Sequence, residues 1–184
     1  MEEDIFDYIP PQQTNQIFTP KRVVEMMLDS LENEDPDIFK DPNKTFADLY
    51  MKSGLYLTEI VKRLYVGLEE QMPDNAARLK HILEQQVYGF APSEIIYNIA
   101  RNFIFGFDET SKNINESHIV CLDTVPYAKG EMDFEAKCAE LFGETKEMKF
   151  DVVVGNPPYQ ETAKGESTKD MPVYNYFYDL AEKI

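Results

Sequence analysis

Phe150-Asp151-Val152-Val153-Val154-Gly155-Asn156-Pro157-Pro158-Tyr159 is the stretch whose reading decides the fold. A short, β-branched apolar run reads as a buried strand, and two prolines directly behind it forbid both helix and further ladder bonding. The prolines fix φ and leave the carbonyls of Asn156 and Pro157 aimed outward. The Asn156 side chain adds an amide oxygen as a second acceptor. Paired acceptors suit a planar NH2 group, which has two hydrogens to give. Tyr159 offers a flat face on which a base can stack.

Working outward, apolar runs alternate with helical periodicity. Thr19 and Pro20 read as a capping hydroxyl followed by proline in the first helical turn, with Val23, Val24, Met27, Leu28 and Leu31 on one face. Thr45 to Leu49 reads as a first strand. A helix then carries Leu57, Ile60, Val61, Leu64 and Leu68, and a shorter one opens at Pro73-Asp74 and runs to about Gln85. Val87 to Phe90 is a second strand. Ser93 caps a helix with Ile95, Ile96, Ile99, Ala100 and Phe103 periodic, and His118 to Leu122 is a third strand ending at Asp123. A short helix covers Phe134 to Leu141, the fourth strand is Phe150 to Val154, and a last helix runs from Val173 to Lys183. Residues 1–17 and 106–116 read as polar and irregular, and 160–170 as a mobile polar loop. Strands alternating with helices predict an α/β fold, a parallel sheet with helices on both faces. Ligands in such sheets bind beyond the carboxyl ends of the strands, so Asp48, Asp123 and Asn156 should gather at one rim.

Composition narrows the function classes. With 184 residues and 43% hydrophobic content, the chain suits one globular domain. No apolar run reaches the length of a membrane span, and the acidic Met1-Glu2-Glu3-Asp4 start is unlike a secretory signal. Cys121 and Cys138 form no cluster, so no metal site is expected, and a cytoplasmic location fits best. The formal net charge is −16, the wrong sign for gripping phosphates. Either DNA-gripping regions lie outside this chain or the substrate is not DNA.

The stretch from Phe150 to Tyr159 resembles, residue for residue, the signature of the N6-adenine-specific DNA methyltransferases with an Asn-Pro-Pro-Tyr motif, of the restriction-modification type. The resemblance runs from Asn15 to about Ala181. It implies a Rossmann-like S-adenosylmethionine-dependent methyltransferase fold, truncated here after the fourth parallel strand and the following helix. On that reading residues 1–184 are one partial domain. Its parts are an N-terminal arm and helix (1–34), a cofactor-binding half (44–125), and the catalytic turn with its helix (150–184); the target-recognition domain is absent. The resemblance implies methyl transfer from S-adenosyl-L-methionine to the N6 of a flipped adenine in DNA, within a restriction-modification system. The fragment is expected to be inactive by itself, to meet DNA through regions missing from this chain, and to self-associate through the exposed edge of the fourth strand.

Site roles follow by the same resemblance. Asn156 and the Pro157 carbonyl hold the N6 amino group, Pro158 stiffens the turn and Tyr159 stacks on the base. Phe18, Thr19 and Pro20 occupy the motif that touches the methionine end of the cofactor. Asp48, Ser53 and Gly54 belong to the glycine-rich loop, where Leu49 stands for the usual proline and Lys52 for the first glycine. Ala91 stands where the second strand normally ends in an acid. Asp123 matches the acid that receives the cofactor's adenine amino group, and Phe177 packs near that adenine. Two rival readings remain open: methylation of another planar nitrogen, such as a protein glutamine, and a non-catalytic scaffold with a degenerate cofactor site.

Overall fold

The computed structural model describes residues 18–105, 114, 118–143, 149–161 and 171–184. The expectations for 1–17, 162–170 and most of 106–116 fall outside the described residues. Helix α1 (Lys21–Glu34) leads to β1 (Phe46–Asp48), α2 (Leu55–Gly67) and α3 (Asn75–His81). A π-helical turn (Ile82–Gln86) follows, then β2 (Val87–Ala91), α4 (Glu94–Phe105), β3 (Ile119–Cys121), α5 (Val125–Ala128) and α6 (Phe134–Phe142). The chain continues through β4 (Val152–Val154), β5 (Gln160–Glu161), β6 (Met171–Pro172) and α7 (Tyr174–Ala181). No helix among the described residues is long and apolar enough to cross a membrane.

Strands β1 to β4 form one parallel sheet in the order β3-β2-β1-β4. Alternate strand residues face opposite sides, as the pleat requires. Phe46, Val87 and Val152 pack with α1, α2 and α4 in one core cluster. Ala47, Tyr88 and Val153 pack with α5, α6 and α7 in the other. The order reverses between β1 and β4: β2 and β3 follow β1 on one side, and the chain then returns to lay β4 on the other side of β1. That divergence opens a crevice at their carboxyl ends. Asp48 pairs with Val154 there. At the opposite end, Asp151 accepts from the Thr45 amide and from Lys44 Nζ, both at 2.9 Å. This anchor pins β4 against β1. Among the described residues β4 is one of the two edge strands of this sheet, as expected.

Three local features depart from the sequence reading. Pro20, not Thr19, occupies the cap position of α1, and no side chain caps that helix. The Pro20 carbonyl takes the Val23 and Val24 amides instead, which leaves the Thr19 hydroxyl available for the site described below. On α4 the buried residues are Ile96, Ala100, Ile104 and Phe105, whereas Ile95 is 73% exposed and Ile99 and Phe103 stand at the surface. The apolar stripe is thus wider than the face the sheet covers. Within the span read as a loop, Gln160–Glu161 pairs antiparallel with Met171–Pro172.

Candidate cofactor and base site

The β1–α2 connection builds one wall of the crevice. Asp48 ends the strand almost wholly buried, and its Oδ1 accepts from the Tyr50 amide at 3.1 Å. Burial pushes the carboxyl up to about 7, against the opposing effects of the Tyr50 amide and of Lys52. Burial also draws Lys52 below its ordinary value, against the pull of Asp48. The loop is tied to the sheet through the Met51 amide, which donates to the Phe90 carbonyl at 2.8 Å. It enters α2 through Gly54 at φ 77°. A Cβ there would lie 3.0 Å from that of Ala100, so glycine is required both by the left-handed backbone and by the close approach of α4.

The β4 exit builds the other wall. Gly155 has φ 147°, and a Cβ on it would stand 2.8 Å from Asp48 Oδ1. The turn therefore lies directly on the β1 carboxylate. Asn156 comes next, half-buried, with Nδ2 donating to Thr19 Oγ1 at 3.1 Å. Thr19, Asp48, Tyr50, Lys52, Ser53, Gly54, Tyr56 and Asn156 line one cavity. Its volume is only about 10 Å3, room for roughly one water. A second cavity of about 100 Å3 adjoins it, sharing Asp48 and Tyr50 and bounded by Gly155, Pro157, Phe177 and Tyr178.

Of the residues singled out from sequence, the structure brings Thr19, Asp48, Ser53, Gly54 and Asn156 to the first cavity and Pro157 and Phe177 to the second. Asp123 lines neither. Its carboxylate accepts from the Val125 amide at 3.1 Å, yet it lies close enough to Tyr50 to add to the burial that pushes that phenol to about 12. Thr124, buried beside it, donates to the Leu49 carbonyl at 2.5 Å and locks the β3 exit to the β1 exit. Phe18 and Pro20 flank Thr19 outside both cavities, and Pro158 is half-buried. Tyr159 is 52% exposed, edge-on to Tyr174 at 6.4 Å, so its ring stands at the mouth.

Sequence reading missed two tyrosines. Tyr50 meets Phe177 edge-on at 5.8 Å and joins the two cavities. Tyr56 is buried at the start of α2 beside Thr19, Asp48 and Tyr159. Tyr50 lies within the Asp48–Gly54 loop and Tyr56 two residues beyond it, which was the available signal, but aromatic residues at such positions ordinarily belong to the core.

A parallel sheet of this order, a buried acid at the β1 exit and an Asn-Pro-Pro-Tyr turn laid against it together define a methyltransferase fold. The family model described as Eco57I restriction-modification methylase matches residues 85–184, and the chain belongs to that family. It is 24% identical over 208 residues to an uncharacterized adenine-specific methylase of Mycoplasma pneumoniae (strain ATCC 29342 / M129 / Subtype 1), with 86% of this chain and 49% of that protein covered. The chain thus spans about half the length of this curated relative. Two Type ISP restriction-modification enzymes share the fold. One is a nuclease-deletion mutant of LlaGI in complex with a DNA substrate mimic, with TM-score 0.57 and 19% identity, covering 91% of this chain and 15% of that one. The other is the ATP-dependent LlaBIII bound to DNA, with TM-score 0.58 and 21% identity, covering 85% and 11%. The DrdV–DNA complex is similar over 79% of this chain and 14% of its own, with TM-score 0.55 and 19% identity.

Proposed function

We propose that the protein transfers a methyl group from S-adenosyl-L-methionine to the exocyclic N6 of an adenine in DNA, as part of a restriction-modification system. The observation that carries this reading is the single cavity shared by the Asp48–Gly54 loop and Asn156. Amino-acid binding and base binding then meet within one side-chain length. The donor set fits the cofactor. Asp48 supplies a carboxylate for its ammonium group, Thr19 and Ser53 supply hydroxyls, and Tyr50 and Phe177 supply aromatic faces beside the second cavity. Lys52 fills part of the space and must swing aside. When bound, S-adenosyl-L-methionine supplies an electrophilic methyl group.

The chain's own residues position the acceptor. Asn156 Oδ1 and the Pro157 carbonyl take the two amino hydrogens of a flipped adenine, which favours a pyramidal, more nucleophilic nitrogen. Tyr159 holds the base plane at the mouth. Catalysis by this set is positioning and electrostatics in a site with little room for water. With a net charge of −16, phosphate contacts fall to other regions of the intact protein.

The same negative charge favours a second reading, methylation of a protein amide nitrogen. Incubating the intact protein with methyl-labelled S-adenosyl-L-methionine and either DNA or protein decides between them. Label in DNA, recovered as N6-methyladenine, is the expected result, and label in protein alone would overturn it. Calorimetry showing no cofactor binding at all would leave only a scaffold.

A further inference from the structure

Tyr159 is the first of three tyrosines in a row. Its ring meets that of Tyr174 at 6.4 Å and 63°, and Tyr174 meets Tyr178 at 6.4 Å and 89°. Tyr174 and Tyr178 stand one turn apart on α7, while Phe177 and Leu180 of the same helix are buried. The Val173 amide donates to the Tyr159 carbonyl at 3.1 Å, so the start of α7 and the end of the base-holding turn are fixed to each other. Tyr174 is 38% and Tyr178 67% exposed. Every exposed tyrosine among the described residues belongs to this row; the others are buried or half-buried. Apolar side chains scattered singly over a surface need no explanation, but a contiguous aromatic patch marks a contact.

The row has the character of a stacking platform. Rings already in edge contact leave no gap between them, so a guest must lie on their outer faces, which excludes a cage around a cation. Among the exposed charges on and just after α7, Asp179 and Glu182 outnumber Lys183. They repel phosphate and so favour the uncharged face of a base over the backbone. The spacing adds a condition. Bases stacked in a duplex strand rise about 3.4 Å per nucleotide, whereas the rings stand 6.4 Å apart. Bases seated on successive rings are therefore unstacked from one another and out of the duplex. We propose that Tyr174 and Tyr178 hold the unpaired nucleotide next to the target adenine, on one side of it, by stacking on its base. The proposal rests on reading Tyr159 as the residue that stacks on the target, and it extends that site from one flipped base to a short unpaired stretch.

Fluorescence anisotropy on the intact protein tests this in two arms. The first uses a labelled single-stranded oligothymidine, which needs no recognition site. Tyr174→Ala and Tyr178→Ala should each weaken binding about tenfold, the worth of one stacked base. The slope of log affinity against log salt should stay at the wild-type value, because it counts phosphate contacts. Tyr178→Phe keeps the ring and should stay within about twofold. No loss in the alanine variants, or an equal loss in Tyr178→Phe, would overturn the proposal. A fall in thermal midpoint with DNA affinity unchanged would also overturn it, since the row would then be covered by protein. The second arm uses duplexes carrying the site the protein methylates, mismatched at the target or at the pair on either side. A mismatch at the target should tighten binding by the wild type and by both alanine variants. A mismatch at one neighbour, on one side only, should tighten the wild type further and leave Tyr178→Ala unchanged. If the target mismatch helps and neither neighbour does, the proposal falls and the methylation reading stands. A wild type that transfers no methyl group to DNA sinks both.

Discussion

Asp48 makes the stability of this protein depend on pH in an unusual direction. A carboxyl held near 7 in the folded chain and near 3.9 when unfolded differs by about three units, each worth about 1.4 kcal/mol. Below about pH 4 the group is protonated in both states and costs nothing. Between about pH 4 and 7 the unfolded chain releases the proton while the folded chain keeps it. Stability therefore falls with rising pH, by up to about 1.4 kcal/mol per unit. Above about pH 7 the full cost, on the order of 4 kcal/mol, is present. Asp48→Asn keeps the shape and the acceptor for the Tyr50 amide but removes the charge. The variant should match the wild type near pH 4 and exceed it by several kcal/mol at pH 8. Urea unfolding of both proteins across this range measures the difference, and subtraction cancels the other acidic groups. A difference that stays flat from pH 4 to 8 would refute the buried-charge account. The cofactor's ammonium, once paired with Asp48, should pull the carboxyl down again. At pH 6 about nine-tenths of the group is protonated, so binding should release close to one proton. Calorimetry in two buffers of different ionisation enthalpy counts it, and Asp48→Asn should abolish the release.

Asn156→Ala in the intact protein should cut methylation turnover about 100-fold or more while changing cofactor affinity only a few-fold; equal losses in a kinetic and calorimetric comparison would refute its place at the reacting nitrogen. Lys52→Gly should tighten S-adenosyl-L-methionine binding several-fold by calorimetry, because Lys52 lines a cavity of about 10 Å3. Unchanged or weaker binding would show that the loop is built around the lysine. Gly155→Ala places a methyl group 2.8 Å from Asp48 Oδ1 at φ 147° and should cost about 1–3 kcal/mol. A thermal scan should register this as a fall of roughly 3–10 °C for a chain of this size, and an unchanged midpoint would refute the contact.

Much of this architecture was legible in the sequence because its signals are local. Short apolar runs marked all four parallel strands to within two residues at each end, and helical periodicity marked the longer helices between them, whereas the one-turn α5 was missed. The Asn-Pro-Pro-Tyr turn declared itself through two prolines that no strand or helix tolerates. What stayed hidden depends on contacts far apart in the chain. Thr19 carried a capping signature, yet its hydroxyl turns toward Asn156, 137 residues away, and the Pro20 carbonyl serves the helix in its place. Ile95, Ile99 and Phe103 kept the helical period of a buried face, but periodicity gives no measure of how wide a stripe the sheet covers. Tyr50 and Tyr56 carry no local signal that sets them apart. Their roles come from where α2 and α7 bring them, which no spacing along the chain records.

The accuracy of such a site rests largely on the sheet: the Met51 amide ties the β1 loop to Phe90 of β2, and the β4 turn follows directly from its strand. Side chains alternate faces along a strand, so a slip of β4 by one residue against β1 would turn Val152 and Val153 to the wrong cores and carry Asn156 away from Thr19 by about 3.3 Å. Two features oppose the slip from opposite ends. At the bottom, Asp151 grips the Thr45 amide and Lys44. At the top, Gly155 leaves just enough room for the Asp48 carboxylate, and a side chain in that place would press directly on it. Asp48 consequently serves both halves of the site. On the proposed reading it is the charge that meets the cofactor's ammonium, and it is also the surface against which the Gly155–Asn156 turn is seated, so a change in its protonation reaches Asn156 through a single intervening residue.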